Sequence, residues 1–186
     1  DAVLTGIGTV LADDPLLTDR TGRPSRRPLL RIVLDAGLRI PLDSRLVSTA
    51  NNDLLIVTTD AAEEGELKKK MGALRDRGAE VLSVHGEAGR PSIAEVLKQL
   101  AKREILSVLL ECGTALNGAF LRGGFVDKAI LFCAPVKLSE GAIPFAEGIE
   151  SPQAIERSLE HATHSVYGAD TCITGYLHDP WGKPSP

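Results

Sequence analysis

Short apolar runs and polar breaks alternate along the chain in a βα rhythm. Ala2–Ile7, Leu29–Leu34, Asp53–Thr58, Ala79–Val84 and Ile105–Leu110 have strand length and are bounded by Gly, Pro, Asp or polar loops. Helical stretches separate them. Thr9–Ala12 makes one or two turns and stops at Asp13-Asp14-Pro15, because the residue before a proline avoids the α region. Asp60 and Glu63 form a capping box for a helix to about Arg77, with acidic residues early and basic ones late, as the helix dipole prefers. Ser92 and Glu95 form a second box, before a face made by Ile93, Val96, Leu97, Leu100 and Ala101. Leu16–Arg20 reads as extended, Thr21–Arg27 as an exposed loop and Ile40–Arg45 as a Pro-containing connection. Towards the end come a long strand, Lys128–Val136, and a hairpin of Glu160–Tyr167 and Thr171–His178 around Gly168-Ala169-Asp170. This order predicts an α/β fold: a mixed, mainly parallel sheet with helices on both faces and a C-terminal antiparallel hairpin.

One stretch organises the rest. In Ile105–Phe125 an apolar run ends at Glu111, a small-residue turn follows (Cys112, Gly113, Thr114), and Ala115–Arg122 has a helical pattern. Strand, turn and helix in that order set a helix N-terminus at the carboxyl edge of a sheet. Its orphan N–H groups and dipole favour phosphate there. The turn has neither the Gly-x-Gly-x-x-Gly of a dinucleotide fold nor a Lys-Ser/Thr after Gly118. On local pattern alone it is an ordinary strand-to-helix turn.

Composition narrows the classes. A chain of 186 residues, 43% of them hydrophobic, is enough for one sizeable core. A net charge of −4 gives no general field for nucleic acid, although backbone amides can still hold an anion locally. No apolar run nears the roughly 20 residues of a membrane span. Cys112, Cys133 and Cys172 are widely spaced and the four histidines are scattered, so free thiols in a reducing cytosol are expected rather than a disulfide frame or a metal site. A cytoplasmic location is the corresponding expectation.

Near the start, Gly6-x-Gly8-Thr9-Val10-Leu11-Ala12-Asp13-Asp14-Pro15-x-Leu17-Thr18-x-Arg20 resembles the reductase half of the bifunctional deaminase/reductase of riboflavin biosynthesis. Arg31–Asp35 through Pro41, Leu110-Glu111-Cys112-Gly113 through Leu121, and Val126-Asp127 through Ala134-Pro135 extend the likeness in order over nearly the whole chain. The resemblance implies a dihydrofolate-reductase-like fold and an NADPH-dependent reductase domain over residues 1–179, N-terminally incomplete, with a tail at 180–186. It implies hydride transfer from NADPH to C1′ of the ribose of 5-amino-6-(5-phosphoribosylamino)uracil. It also implies pairing as a homodimer, and a deaminase half in the longer protein.

Residue roles follow from the same resemblance. Thr9, Asp13 and the seven residues Gly113, Thr114, Ala115, Leu116, Asn117, Gly118 and Ala119 fall on NADPH contacts. Ala36 falls where a relative uses Ser towards the cofactor, and only backbone or van der Waals contact remains to it. Leu17, Arg20 and Glu111 fall on substrate contacts; Asp13, where cofactor and substrate meet, and Glu111 are the candidate catalytic residues. The physical readings are compatible. Thr9 and Asp13, spaced i and i+4, share a helix face. Arg20 offers a planar fork of donors to phosphate. Glu111 can accept from sugar hydroxyls or cap its own turn. Cys112 stands where the family has a smaller residue. Arg26, Arg27 and Arg31 read as a charged loop, with the 2′-phosphate of NADPH as the functional alternative. Two other functions stay open: a reductase of the 2,5-diamino-6-ribosylamino-pyrimidinone phosphate or another dihydrofolate-reductase-like reductase, and a non-catalytic nucleotide-binding or dimerisation domain.

Overall fold

The computed structural model describes residues 1–23, 27–60, 65–136, 138–139 and 141–179. They form two compact units, Asp1–Gly113 and a second that begins at Thr114.

The first unit is built on a five-stranded sheet in the order β4-β3-β2-β1-β7, with every pair parallel. Its strands are β1 (Ala2–Gly6), β2 (Leu30–Leu34), β3 (Leu54–Thr59), β4 (Ala79–Val84) and β7 (Val108–Leu110). A two-stranded antiparallel ribbon, β5 (Gly86–Glu87) with β6 (Arg90–Pro91), lies between β4 and β7 in sequence. Parallel strands need crossovers, and α1 (Ile7–Asp13), α2 (Arg45–Ser48), α3 (Gly65–Arg75) and α4 (Ile93–Lys102) lie in them. All six residues of β3 are buried, and so are Arg31–Leu34 of β2. Side chains alternate between faces, so burial of whole strands means that both faces are covered. Val33, Leu54, Ile56, Ala79 and Val81 pack with Ile7 and Val10 of α1, Leu46 and Val47 of α2, and Met71 and Leu74 of α3.

Strands β2, β3 and β4 step away on one side of β1, and β7 returns to the other. Strand order therefore reverses at β1. In open α/β sheets the crevice beyond the carboxyl ends of strands at such a reversal is where ligands bind.

The second unit holds α5 (Thr114–Arg122), α6 (Pro152–Glu156) and an antiparallel sheet ordered β8-β10-β9. Its strands are β8 (Lys128–Cys133), β9 (Glu160–Tyr167) and β10 (Asp170–Tyr176). The β9–β10 pair is the expected hairpin. Leu131, Ile155 and Ile173 form its core, with Leu121, Phe145 and Leu159 packed against them.

Several local expectations need correction. Ser92 is the N-cap of α4, but its side chain makes no capping bond. Glu95 turns forward instead, accepting from Gln99 Nε2 at 2.7 Å and lying 3.8 Å from Lys98 Nζ. The Asp60–Glu63 box and the 180–186 tail lie outside the described residues. The strand expected to run to Val136 stops at Cys133. The run Ile105–Leu110 is not a buried strand. Only Val108–Leu110 pair, at the end of the strand order, and Leu109 is 59% exposed.

Candidate functional site

Five of the residues singled out by sequence follow the carboxyl ends of three neighbouring strands. Thr9 and Asp13 lie on α1, directly after β1. Ala36 follows β2 at the second position, and Glu111 and Gly113 follow β7. The backbone N–H of Glu111 donates to Leu4 O at 3.0 Å, which ties it to β1.

A cleft of about 730 Å³ opens on the first unit. Val3 and Leu109, paired in register on β1 and β7, present side chains to it from one face. Glu111, two residues beyond Leu109, lines it too, and so do Leu17 and Arg20. The three residues matched to substrate contacts thus share one cavity. Thr18, Asp19, Arg27, Pro28 and Leu29 complete its wall with Asp1. Asp13 is not among these residues; it sits exposed at the C-terminal end of α1.

Electrostatics at this cleft are mixed. Arg20 and Arg27 bring positive charge, and Asp1, Asp19 and Glu111 bring negative. Asp19 is occupied locally: the backbone N–H and the hydroxyl of Thr21 donate to its carboxylate at 2.8 and 3.0 Å. Those two bonds hold its pKa below the usual carboxylate range. Arg27 makes a loose 3.9 Å pair with Glu104, with both side chains mostly exposed. Exposed pairs of this kind contribute little to stability.

The three arginines that read alike in sequence separate here. Arg26 lies outside the described residues. Arg27 lines the cleft. Arg31 is only 2% exposed, and its head donates to Asp53 Oδ1 at 2.7 Å, to Thr49 Oγ1 and O at 2.9 and 3.1 Å, and to Leu16 O at 3.2 Å. It serves the interior, not a nucleotide phosphate.

The candidate cofactor residues divide between backbone and side-chain roles. In α5 the Thr114 hydroxyl donates to Pro144 O at 2.5 Å and Asn117 Nδ2 to Phe145 O at 3.1 Å. Gly118 is buried, and a Cβ on it would run into Glu147 O and lie 2.8 Å from Glu147 N. These three residues pack their own unit. Gly113 differs: it is exposed, and a Cβ there would meet nothing within 4 Å. Open space beside exposed backbone fits the close approach of a phosphate to amides, which is the role a nucleotide seat needs. Ala36 is half-buried, and its carbonyl already accepts from the Thr58 hydroxyl at 2.9 Å. Thr9 and Asp13 fall in one continuous helix, as their spacing required.

Sequence reasoning missed two residues. Arg27 sat in a charge run with no mark to separate it from its neighbours. Asp14 was read only as a helix stop, yet its Oδ1 accepts the backbone N–H of Arg45 at 2.9 Å. Among the described residues, no group of three or more His, Cys, Asp or Glu is placed to hold a metal ion. No described helix is long and apolar enough to cross a membrane.

Known proteins resemble this chain in sequence and fold. The chain is 33% identical over 159 residues to the riboflavin biosynthesis protein RibD of Aquifex aeolicus, covering 86% of this chain and 41% of that one. It is 30% identical over 159 residues to the 2,5-diamino-6-ribosylamino-4(3H)-pyrimidinone 5′-phosphate reductase of the same organism, covering 86% of this chain and 67% of that one. Among solved structures, Acinetobacter baumannii RibD superposes with a TM-score of 0.71 at 23% identity, over 94% of this chain and 46% of that one. A pyrimidine reductase-like protein from Corynebacterium diphtheriae gives 0.68 at 20% identity, over 96% and 77%. The structural likenesses establish the fold, and the chain spans 41% of the Aquifex RibD it matches. Residues 1–173 match the RibD C-terminal domain, and the chain belongs to that family.

Proposed function

We propose that this chain is the reductase portion of a riboflavin-biosynthesis enzyme. Its substrate is 5-amino-6-(5-phosphoribosylamino)uracil and its product the ribitylamino compound. The observation that carries this reading is the cleft where Leu17, Arg20 and Glu111 meet. A sugar phosphate needs cations for its phosphate and acceptors for its hydroxyls. Arg20 and Arg27 supply the first and Glu111 the second. Val3, Leu17 and Leu109 give an apolar wall that excludes water from the reacting carbon.

Reduced nicotinamide, when bound, supplies the hydride that adds to C1′ of the sugar, reacting as an opened imine or aldehyde. By the family likeness we assign the cofactor's phosphates to Gly113 and the amides that follow it in α5, and we assign Thr9, Asp13 and Ala36 to the cofactor as well. NADPH is the form we assign. No residue of the chain needs to act as a nucleophile. The protein's contribution is orientation and placement of anions. Of the two acidic candidates only Glu111 lines the cleft, so the proton that completes the reduction comes from Glu111 or water, and Asp13 is left to the cofactor side.

The family likeness also supports a cytoplasmic protein that pairs as a homodimer, with a deaminase half in the longer polypeptide. A solved Thermotoga maritima protein of this fold is a diaminohydroxyphosphoribosylaminopyrimidine deaminase/5-amino-6-(5-phosphoribosylamino)uracil reductase.

A second reading has its own support in the Aquifex reductase named for the 2,5-diamino pyrimidinone phosphate, two thirds of whose length this chain covers. Both substrates present the same phosphoribosylamino group to the cleft and differ only on the base. NADPH oxidation by the full-length protein, measured with each pyrimidine phosphate, decides between them. Oxidation with neither, alongside measurable NADPH binding, would point to a non-catalytic nucleotide-binding domain.

A further inference from the structure

We propose that Asp14 and Arg31 are positioning residues, which clamp the segment from Asp14 to Leu17 so that Leu17 faces the substrate cleft. The inference rests on the reading of that cleft as the substrate site. Asp14, the C-cap of α1, has φ of +39°, a left-handed value that aspartate tolerates there; Leu17 has φ of +52°, which leucine adopts only when its surroundings enforce it. Pro15 lies between and fixes its own φ. Leucine has no local preference for this path, so other groups must hold it.

The Leu17 side chain packs against the apolar core of the first unit, and two polar ties, both leading to α2, hold the backbone that carries it. Asp14 Oδ1 accepts the backbone N–H of Arg45, the first residue of that helix, at 2.9 Å. The Leu16 carbonyl accepts from Arg31 Nη1 at 3.2 Å. That guanidinium is itself locked. Its nitrogens donate to Thr49, the C-cap of α2, and to Asp53 Oδ1. The Thr49 hydroxyl in turn donates to Arg45 O at 2.7 Å, closing the frame. Leu17 follows the clamped carbonyl directly and lines the cleft beside Arg20 and Glu111. Once either tie is cut, the backbone can relax towards ordinary φ values, and apolar packing alone is left to hold the leucine on the cleft wall.

The test uses the full-length protein and three variants. Asp14→Ala removes the acceptor. Asp14→Asn keeps an oxygen in its place and tolerates a left-handed backbone. Arg31→Lys keeps a charge opposite Asp53 but loses the fork that reaches Leu16. Asp14→Ala and Arg31→Lys should raise KM for the pyrimidine phosphate about five- to twentyfold, leaving kcat and the KM for NADPH near wild type. Asp14→Asn should restore the wild-type KM. Independently of turnover, thermolysin cuts before leucines. Cleavage at Leu16 or Leu17, read by mass spectrometry, should be faster in Asp14→Ala and Arg31→Lys than in wild type and Asp14→Asn. The proposal is overturned if Asp14→Ala leaves KM unchanged, if Asp14→Asn is as impaired as Asp14→Ala, or if cleavage rates do not differ. Should Arg31→Lys not fold, the two Asp14 variants decide. If the wild type oxidises no NADPH with either pyrimidine, the proposed reaction falls. The cleavage rates then judge the clamp: faster cleavage supports it, and equal rates overturn it.

Discussion

Arg31 Nη2 lies 2.7 Å from Asp53 Oδ1, and the arginine is almost wholly enclosed while the aspartate keeps an opening to solvent. Burial alone would raise the Asp53 pKa. The Asn51 N–H and the Arg31 guanidinium outweigh it and hold the carboxyl below its ordinary range. A carboxyl depressed in the folded state lends stability that is complete above its unfolded pKa and disappears as pH falls through the folded value. Thermal unfolding followed from neutral to acid pH should therefore show a loss in this acid window that is smaller in Asp53→Asn. Asp53→Ala leaves an enclosed guanidinium short of its partner and should destabilise the protein by about 3 kcal/mol at neutral pH.

Glu111→Gln keeps the size and one acceptor of the side chain but removes its charge. Kinetics of the variant should show a raised KM for the pyrimidine phosphate or a lowered kcat, with NADPH affinity close to wild type. An equal loss of NADPH binding would remove Glu111 from the substrate side of the site.

Arg20 and Arg27 are assigned to the phosphate, so their loss should be felt only by phosphorylated substrates. For Arg20→Gln and Arg27→Gln, kcat/KM with the pyrimidine 5′-phosphate should fall about ten- to a hundredfold, as expected for one charge-assisted contact. With the dephosphorylated nucleoside the value should hardly move. Lysine at either position should give intermediate values, because it keeps the charge without the fork. A uniform loss with both substrates would argue that these arginines shape the cleft rather than read the phosphate.

Two glycines separate packing from ligand contact. Gly118→Ala would push into the Glu147 backbone and should lower stability by about 1–3 kcal/mol in a denaturant titration. Gly113→Ala meets no protein atom within 4 Å, and the unfolding midpoint should not fall. Its effect should appear instead as weaker NADPH binding by direct titration, since the methyl group would occupy the space a phosphate needs.

Much of the fold was legible because apolar runs of strand length recur between polar breaks. β1, β2, β3 and β4 lie within about a residue of their expected places. What failed had physical causes. α2 has four residues and α6 five, too few to show a helical period. A run as apolar as Ile105–Leu110 reads as interior, but no local signal says that the strand ends a sheet, where Leu109 stays exposed. Ser92 and Glu95 have the spacing of a capping box, yet Glu95 found Gln99 and Lys98 nearer. In the site, Leu17, Arg20 and Glu111 are far apart in sequence, and only resemblance grouped them. The roles of Arg27 and Arg31 were hidden because composition counts both as loop cations. Strand pairing carried one into the interior, and the chain before β2 carried the other to the cleft.

The place of β1 between β2 and β7 has a consequence for biogenesis. Ala2 pairs with Leu30 on one flank and with Val108 on the other. The ribosome makes β1 roughly a hundred residues before its second neighbour, β7, and distant parallel pairings of this kind form slowly. Until that neighbour emerges, one flank of β1 offers unpaired amides and carbonyls to any passing extended chain. The apolar side of the cleft, where Val3 meets Leu109, is therefore among the last parts of this sheet that synthesis can complete.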